Sequence, residues 1–183
     1  MYQKIMVSFL AITMLAPAYG QTFSENVSAD TKHFRLNLDV GSLSKTDKVK
    51  LQKTLECKGL LPPYTKKTPF FFVRSSKNGE EKLFTLSQPL SVYGSKTQYV
   101  LVSYMPAEYD SAEDSDGVSV FLDKSMTLKQ FAKINRIKYN GQDDYIYKTI
   151  KMGKYAPDTL FISAQKDEAW GGLKVFCGYT AGT

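Results

Sequence analysis

Several stretches of the chain place apolar residues at every second position. This is the rhythm of strands that bury a single face, and only two short stretches space their apolar residues three and four apart, as a helix does. Residues 33–40 set Phe34, Leu36, Leu38 and Val40 against His33, Arg35, Asn37 and Asp39, which predicts a half-buried strand. Gly41-Ser42 breaks it. Residues 44–58 then predict a helix. Ser44 and Asp47 offer a capping hydroxyl and an early carboxylate, Leu51 and Leu55 share a face, and Gly59 supplies the left-handed stop. Leu60-Leu61-Pro62-Pro63 forces an extended exit. Residues 69–74, built on Phe70, Phe71, Phe72 and Val73, and residues 82–86 predict two strands. The turn at 75–79 joins them, with Asn78-Gly79 supplying positive φ. Residues 89–94 read as a short extended piece. The longest strand signal is 97–105, with Val100, Val102 and Tyr104 on one face and Tyr99, Leu101 and Ser103 on the other.

An acidic loop is predicted at 107–117, followed by a strand at 118–123. The second helix is expected over 127–138. Thr127 and Gln130 fit a capping box, Leu128, Phe131, Ala132 and Ile134 give the apolar face, and Asn140-Gly141 ends it. Strands at 145–152, 159–165 and 172–179 close the chain, and in the last of them Leu173, Val175 and Cys177 share the core face.

A helix followed by several strands therefore occurs twice. The fold class expected is α+β: an antiparallel sheet with two helices on one face. The chain from 21 to 183 reads as one compact domain, with possible α-then-β units at 32–123 and 124–183 sharing one sheet surface, although their residues do not align as a repeat. This order of elements resembles that of the β-lactamase inhibitory proteins, small secreted inhibitors built from tandem helix-plus-sheet modules. The resemblance implies a sheet protein that acts by binding another protein. It rests on element order and carries no site residue over.

Residues 1–20, MYQKIMVSFLAITMLAPAYG, change the picture. One cation at Lys4, an apolar run from Ile5 to Leu15 and the small-x-small end Ala18-Tyr19-Gly20 have the layout of a secretory signal peptide, too short for a stop-transfer span. The expected location is secreted, and periplasmic in a two-membrane cell. No other stretch is apolar and long enough to predict a transmembrane segment, and no lipid-accepting cysteine follows the signal. In an oxidising compartment the two cysteines, Cys57 and Cys177, are expected to form a disulfide between the first helix and the last strand.

The net charge of +6 is spread along the chain, without the basic tract that nucleic acid requires. It is compatible with an acidic protein or with anionic envelope polymers. The acidic loop groups Glu108, Asp110, Glu113, Asp114 and Asp116 ahead of Gly117. Asp114-x-Asp116-Gly117 resembles half of a calcium loop, but Ala112 and Asp123 stand where the other ligands belong, so a solvated connection or protein-binding patch is expected instead. A lone histidine, His33, leaves no partner for a serine or cysteine nucleophile and no two-histidine metal site. Asp143-Asp144 and Asp167-Glu168 offer carboxylate pairs of the kind glycan hydrolysis uses, but turns place such pairs commonly. Lys129, Lys133, Arg136 and Lys138 give the second helix an exposed basic face. Tyr145 and Tyr147 alternate onto one face, with Trp170 in the loop before the last strand and Tyr139 and Tyr155 flanking, an aromatic surface suited to recognition.

The sequence thus predicts no catalytic centre, metal or cofactor. It predicts a binding protein with Tyr145, Tyr147, Trp170, Glu108, Asp110, Asp114 and Asp116 as candidate contacts. The leading expectation is an inhibitor or immunity-type protein that blocks a periplasmic enzyme or toxin. The alternatives are a protein that binds peptidoglycan or anionic lipid, and a carboxylate-dependent glycan hydrolase.

Overall fold

The computed structural model describes residues 34–58, 80–105, 113–152 and 159–182. The signal, the leader, His33, Gly59, the exit at 60–63, the strand and turn expected at 69–79, Glu108, Asp110 and Tyr155 lie outside the described residues. Nine elements are described: β1 (Phe34–Leu38), α1 (Lys45–Leu55), β2 (Glu80–Val92), β3 (Ser95–Met105), β4 (Glu113–Leu122), α2 (Leu128–Ile134), β5 (Tyr145–Met152), β6 (Thr159–Asp167) and β7 (Gly172–Gly182). The strands make one seven-stranded sheet in the order β1-β2-β3-β4-β7-β6-β5. β1 runs parallel to β2, and every other pair is antiparallel. The fold is α+β with the sheet dominant.

Both helices lie against one face of that sheet. Leu51 and Leu55 of α1 and Phe131 and Ala132 of α2 share a single core with alternate strand residues, among them Phe84, Val100, Val118, Val120, Ile162, Val175 and Cys177. Ser44 caps α1 by accepting the Asp47 N–H at 3.1 Å, and Thr127 with Gln130 closes a capping box on α2. The helices are shorter than expected because each ends in the paired bonds of a Schellman turn. In α1 the Lys58 N–H reaches the Lys53 carbonyl and the Cys57 N–H the Thr54 carbonyl. In α2 Ile137 reaches Ala132 and Arg136 reaches Lys133. The left-handed residues at these stops are Cys57 (φ 58°) and Arg136 (φ 53°), not the expected Gly59 and Asn140-Gly141. Arg136 and Lys138 therefore lie beyond the helix, and only Lys129 and Lys133 of the basic face are on it.

The acidic stretch needs a second correction. β4 begins at Glu113, so Asp114 and Asp116 are ladder residues paired with Ala181 and Tyr179 of β7, and Asp116 also with Tyr104 of β3. An extended strand spaces alternate residues about 6.8 Å apart along its length and does not wrap them around an ion. β2 also runs further than expected. It continues through Pro89 because the register with β3 shifts between Thr85 and Leu90, where a residue without an N–H is tolerated.

Cys57 and Cys177 are disulfide-bonded, with their Cα atoms 5.6 Å apart and 120 residues between them in sequence. The bond fixes the C-terminal turn of α1 to the middle of β7. A closed loop of that length restricts the unfolded chain by about 5 kcal/mol in the chain-entropy account.

The β2–β3 hairpin turns on Tyr93 (φ 51°) and Gly94 (φ 77°). Two left-handed residues between antiparallel strands make a type I′ turn, whose first position usually holds Asn, Asp or Gly. Tyr93 sits there because its ring is buried, edge-on to Phe131 at 5.3 Å, and its N–H donates to Glu56 Oε1 at 3.1 Å. Burial would raise the Glu56 carboxyl, but its bonds from Lys58, the Tyr93 N–H and Gln52 hold it below the ordinary value. The Tyr93 hydroxyl is buried without a hydrogen-bond partner among the described residues, and burial pushes its ionisation far above the usual tyrosine range.

Two outcomes follow for stability. Reduction of the disulfide should lower the melting temperature by roughly 10–15 °C for a chain of this size, read by calorimetry with and without reductant. A fall of under about 3 °C would contradict the bond's role. Tyr93→Phe removes an unsatisfied buried hydroxyl and should stabilise the protein by about 1 kcal/mol in urea titration, whereas a comparable loss would show that the hydroxyl is satisfied.

Candidate functional site

With both helices on one face, the other face of the sheet carries no helix among the described residues. The strand register lays its side chains in rows. Leu101, Ser119, Phe176, Ser163 and Tyr147 follow one another across β3, β4, β7, β6 and β5. Ser103, Gly117, Gly178 and Phe161 form the next row, and Phe121, Lys174, Gln165 and Tyr145 the row on the other side.

Aromatic rings run across these rows. Phe176 meets Phe161 edge-on at 5.7 Å, and Phe161 stacks on Tyr147 at 5.2 Å. Gly117 and Gly178, directly paired across the β4·β7 ladder, make the floor beneath Phe176. A Cβ on either glycine would fall within the volume of its ring. The glycines thus let Phe176 lie down on the sheet, where a side chain normally stands off it. At the other end of the face Leu83, Tyr99, Leu101 and Phe121 bury one another beneath Trp170.

Tyr145 and Tyr147 are where the sequence puts them, on one face and 60% and 51% exposed. Among the described residues β5 is the end strand of the sheet, with β6 as its one neighbour, which explains that exposure. They also border a hollow of about 350 Å³ with Lys138, Tyr139 and Asp143. Tyr139 is half-buried and donates its hydroxyl to the Asp143 carbonyl at 2.8 Å. Trp170 lies on the same side of the sheet, but it is half-buried. Its indole N–H donates to the Leu122 carbonyl, its ring meets Tyr99 and Phe121 edge-on, and Lys124 Nζ stands 5.2 Å from its centre. It covers a small core rather than projecting as a free anchor. Of the acidic candidates among the described residues, Asp114 and Asp116 stand in β4.

Between the two aromatic groups lies a groove of about 290 Å³. Leu101 and Phe176 form its apolar sides, and Ser103, Ser119, Ser163, Gln165 and Lys174 contribute polar groups. Glu81 stands at its β2 end. None of these residues was singled out from the sequence. The signal was present, because in 172–179 the residues that alternate with Leu173, Val175 and Cys177 are Lys174, Phe176 and Gly178.

Two of the paired carboxylate residues, Asp143 and Asp167, take part in turns. Asp167 Oδ1 accepts the Trp170 N–H at 2.7 Å and shapes the β6–β7 turn, and Asp143 lies in the turn set by Asn140. Among the described residues no three of His, Cys, Asp and Glu are grouped to hold a metal ion, and no helix is long and apolar enough to cross a membrane. No protein-family model matches the chain, and no curated protein or solved structure is significantly similar to it.

The glycine floor generates a double-mutant prediction. Gly117→Ala should cost about 1–3 kcal/mol in urea titration, because the added methyl lifts Phe176 off the sheet. In a Phe176→Ala background the same change should cost about 0.5 kcal/mol or less. Equal costs in the two backgrounds would show that Phe176 does not rest on Gly117.

Proposed function

We propose that this is a secreted, non-enzymatic binding protein that captures a protein partner on the helix-free face of its sheet. The leading form of that reading is an inhibitor or immunity-type protein that occludes a periplasmic enzyme or toxin. The observation that supports it best is the aromatic run Tyr147–Phe161–Phe176, which ends in a tyrosine half open to solvent. Aromatic side chains offer large contact areas at low entropic cost, and a sheet holds them more rigidly than a loop does. The disulfide and the signal-like residues 1–20 fit an oxidising compartment.

The sheet order supports the finer reading of two α-then-β units. β2-β3-β4 and β5-β6-β7 each follow a helix, and they meet through their third strands, β4 and β7. On that reading the recognition face straddles the junction of the two units.

A second reading, contact with anionic envelope polymers, is favoured by the exposed cations Lys129, Lys133, Lys138 and Lys148. One experiment separates the two. The oxidised protein, immobilised, is challenged with a periplasmic extract and separately with purified peptidoglycan sacculi at physiological salt. The inhibitor reading expects a protein to be retained from the extract, to be lost with Tyr147→Asp, and to persist with Lys129→Asp. Retention on sacculi that falls with Lys129→Asp and is indifferent to Tyr147→Asp would overturn it.

A further inference from the structure

We propose that the groove around Lys174 is a carboxylate-binding site that anchors an acidic side chain of the protein partner. This rests on the reading of the helix-free face as the recognition surface. Lys174 lies on β7 in the middle of the sheet, half-buried, with its Nζ 5.9 Å from the centre of the Phe121 ring. No carboxylate among the described residues forms an ion pair with it. Partial burial removes some of an ammonium's hydration, and a ring face restores only part of it.

The surroundings supply further donors. Ser119 precedes and Ser163 follows Phe176 in the adjacent row, and Gln165 is the cross-strand partner of Lys174. Ser119 and Ser103 are 2% and 8% exposed and line the groove. Ser163 lines it as well. Hydroxyls that border a groove can donate to an acceptor that enters it.

One cation, hydroxyl donors and an amide match a carboxylate, which only accepts and has about four lone-pair sites to fill. Glu81, at the β2 end of the groove, forms no ion pair with Lys174, and the backbones of β2 and β7 are three strand spacings apart, roughly 14 Å. Leu101 and Phe176 make the sides apolar, so the acid is expected beside an aromatic or aliphatic residue. A neutral sugar would stack on Phe176 but leave Lys174 uncompensated.

The test uses a random dodecapeptide display library selected on the oxidised protein. Selected peptides are then titrated by calorimetry against the wild type, Lys174→Gln, Lys174→Met (which keeps the stem over Phe121) and Tyr147→Asp, each checked for native circular dichroism. The expected peptides carry Asp or Glu beside an apolar residue. Changing that acid to its amide should weaken binding about tenfold on the wild type and less than about twofold on either Lys174 variant. Selection of no peptide, an acid-to-amide loss undiminished in the Lys174 variants, or saturable binding of chitotetraose unaffected by Lys174→Gln would overturn the proposal. Peptides that lack an acid but are lost with Tyr147→Asp overturn the carboxylate site and leave the face standing. Peptides indifferent to both positions overturn the face as well.

Discussion

The pairing of β4 with β7 is the contact on which the rest of this structure depends. It joins strands far apart in sequence, and through it the sheet runs unbroken from β2 to β5. Its two faces do different work. On one, Val118, Val120, Val175 and Cys177 enter the main core, and Cys177 is bonded to Cys57 at the end of α1. On the other, Gly117 and Gly178 lie side by side and Phe176 rests across them. A slip of one residue in this register would exchange the faces, exposing the valines and burying Lys174. The disulfide opposes that slip from the core side, because Cys57 is held by the Schellman turn that stops α1. The helix-free face is thus positioned by constraints on the opposite side of the sheet.

Much of this fold was legible in the sequence because half-buried strands alternate cleanly. The strand at 145–152 has the bounds read from the pattern, and the N-caps Ser44 and Thr127 act as their residue types suggest. The helix ends were harder. Gly59 and Asn140-Gly141 looked like stops, but a Schellman turn needs a left-handed residue at a fixed distance from the last helical turn. Cys57 and Arg136 occupy that place. The acidic stretch misled for a related reason: Asp and Glu suggest a loop, yet pairing to β7 carries β4 through Asp114 and Asp116, and β3 pairs with Asp116 from the other side.

The site was legible only at its edge. Tyr145 and Tyr147 stand out because an edge strand with a single neighbour leaves large rings in solvent. Phe176, Lys174 and the serines lie on four different strands, and only the register brings them into one groove. Trp170 was visible as an aromatic in a loop, but the Leu122 carbonyl that receives its indole N–H lies 48 residues away in sequence. The shape and charge of a sheet face depend on strand register and have no fixed spacing along a chain.

The central claim, that the helix-free face meets the partner, is tested most directly by photo-crosslinking in intact cells. A photoreactive phenylalanine analogue is placed at position 147 on that face, and in a second variant at position 129 on the exposed side of α2. The account predicts a discrete higher-mass adduct from position 147 and none from position 129. An adduct from position 129 alone would contradict it.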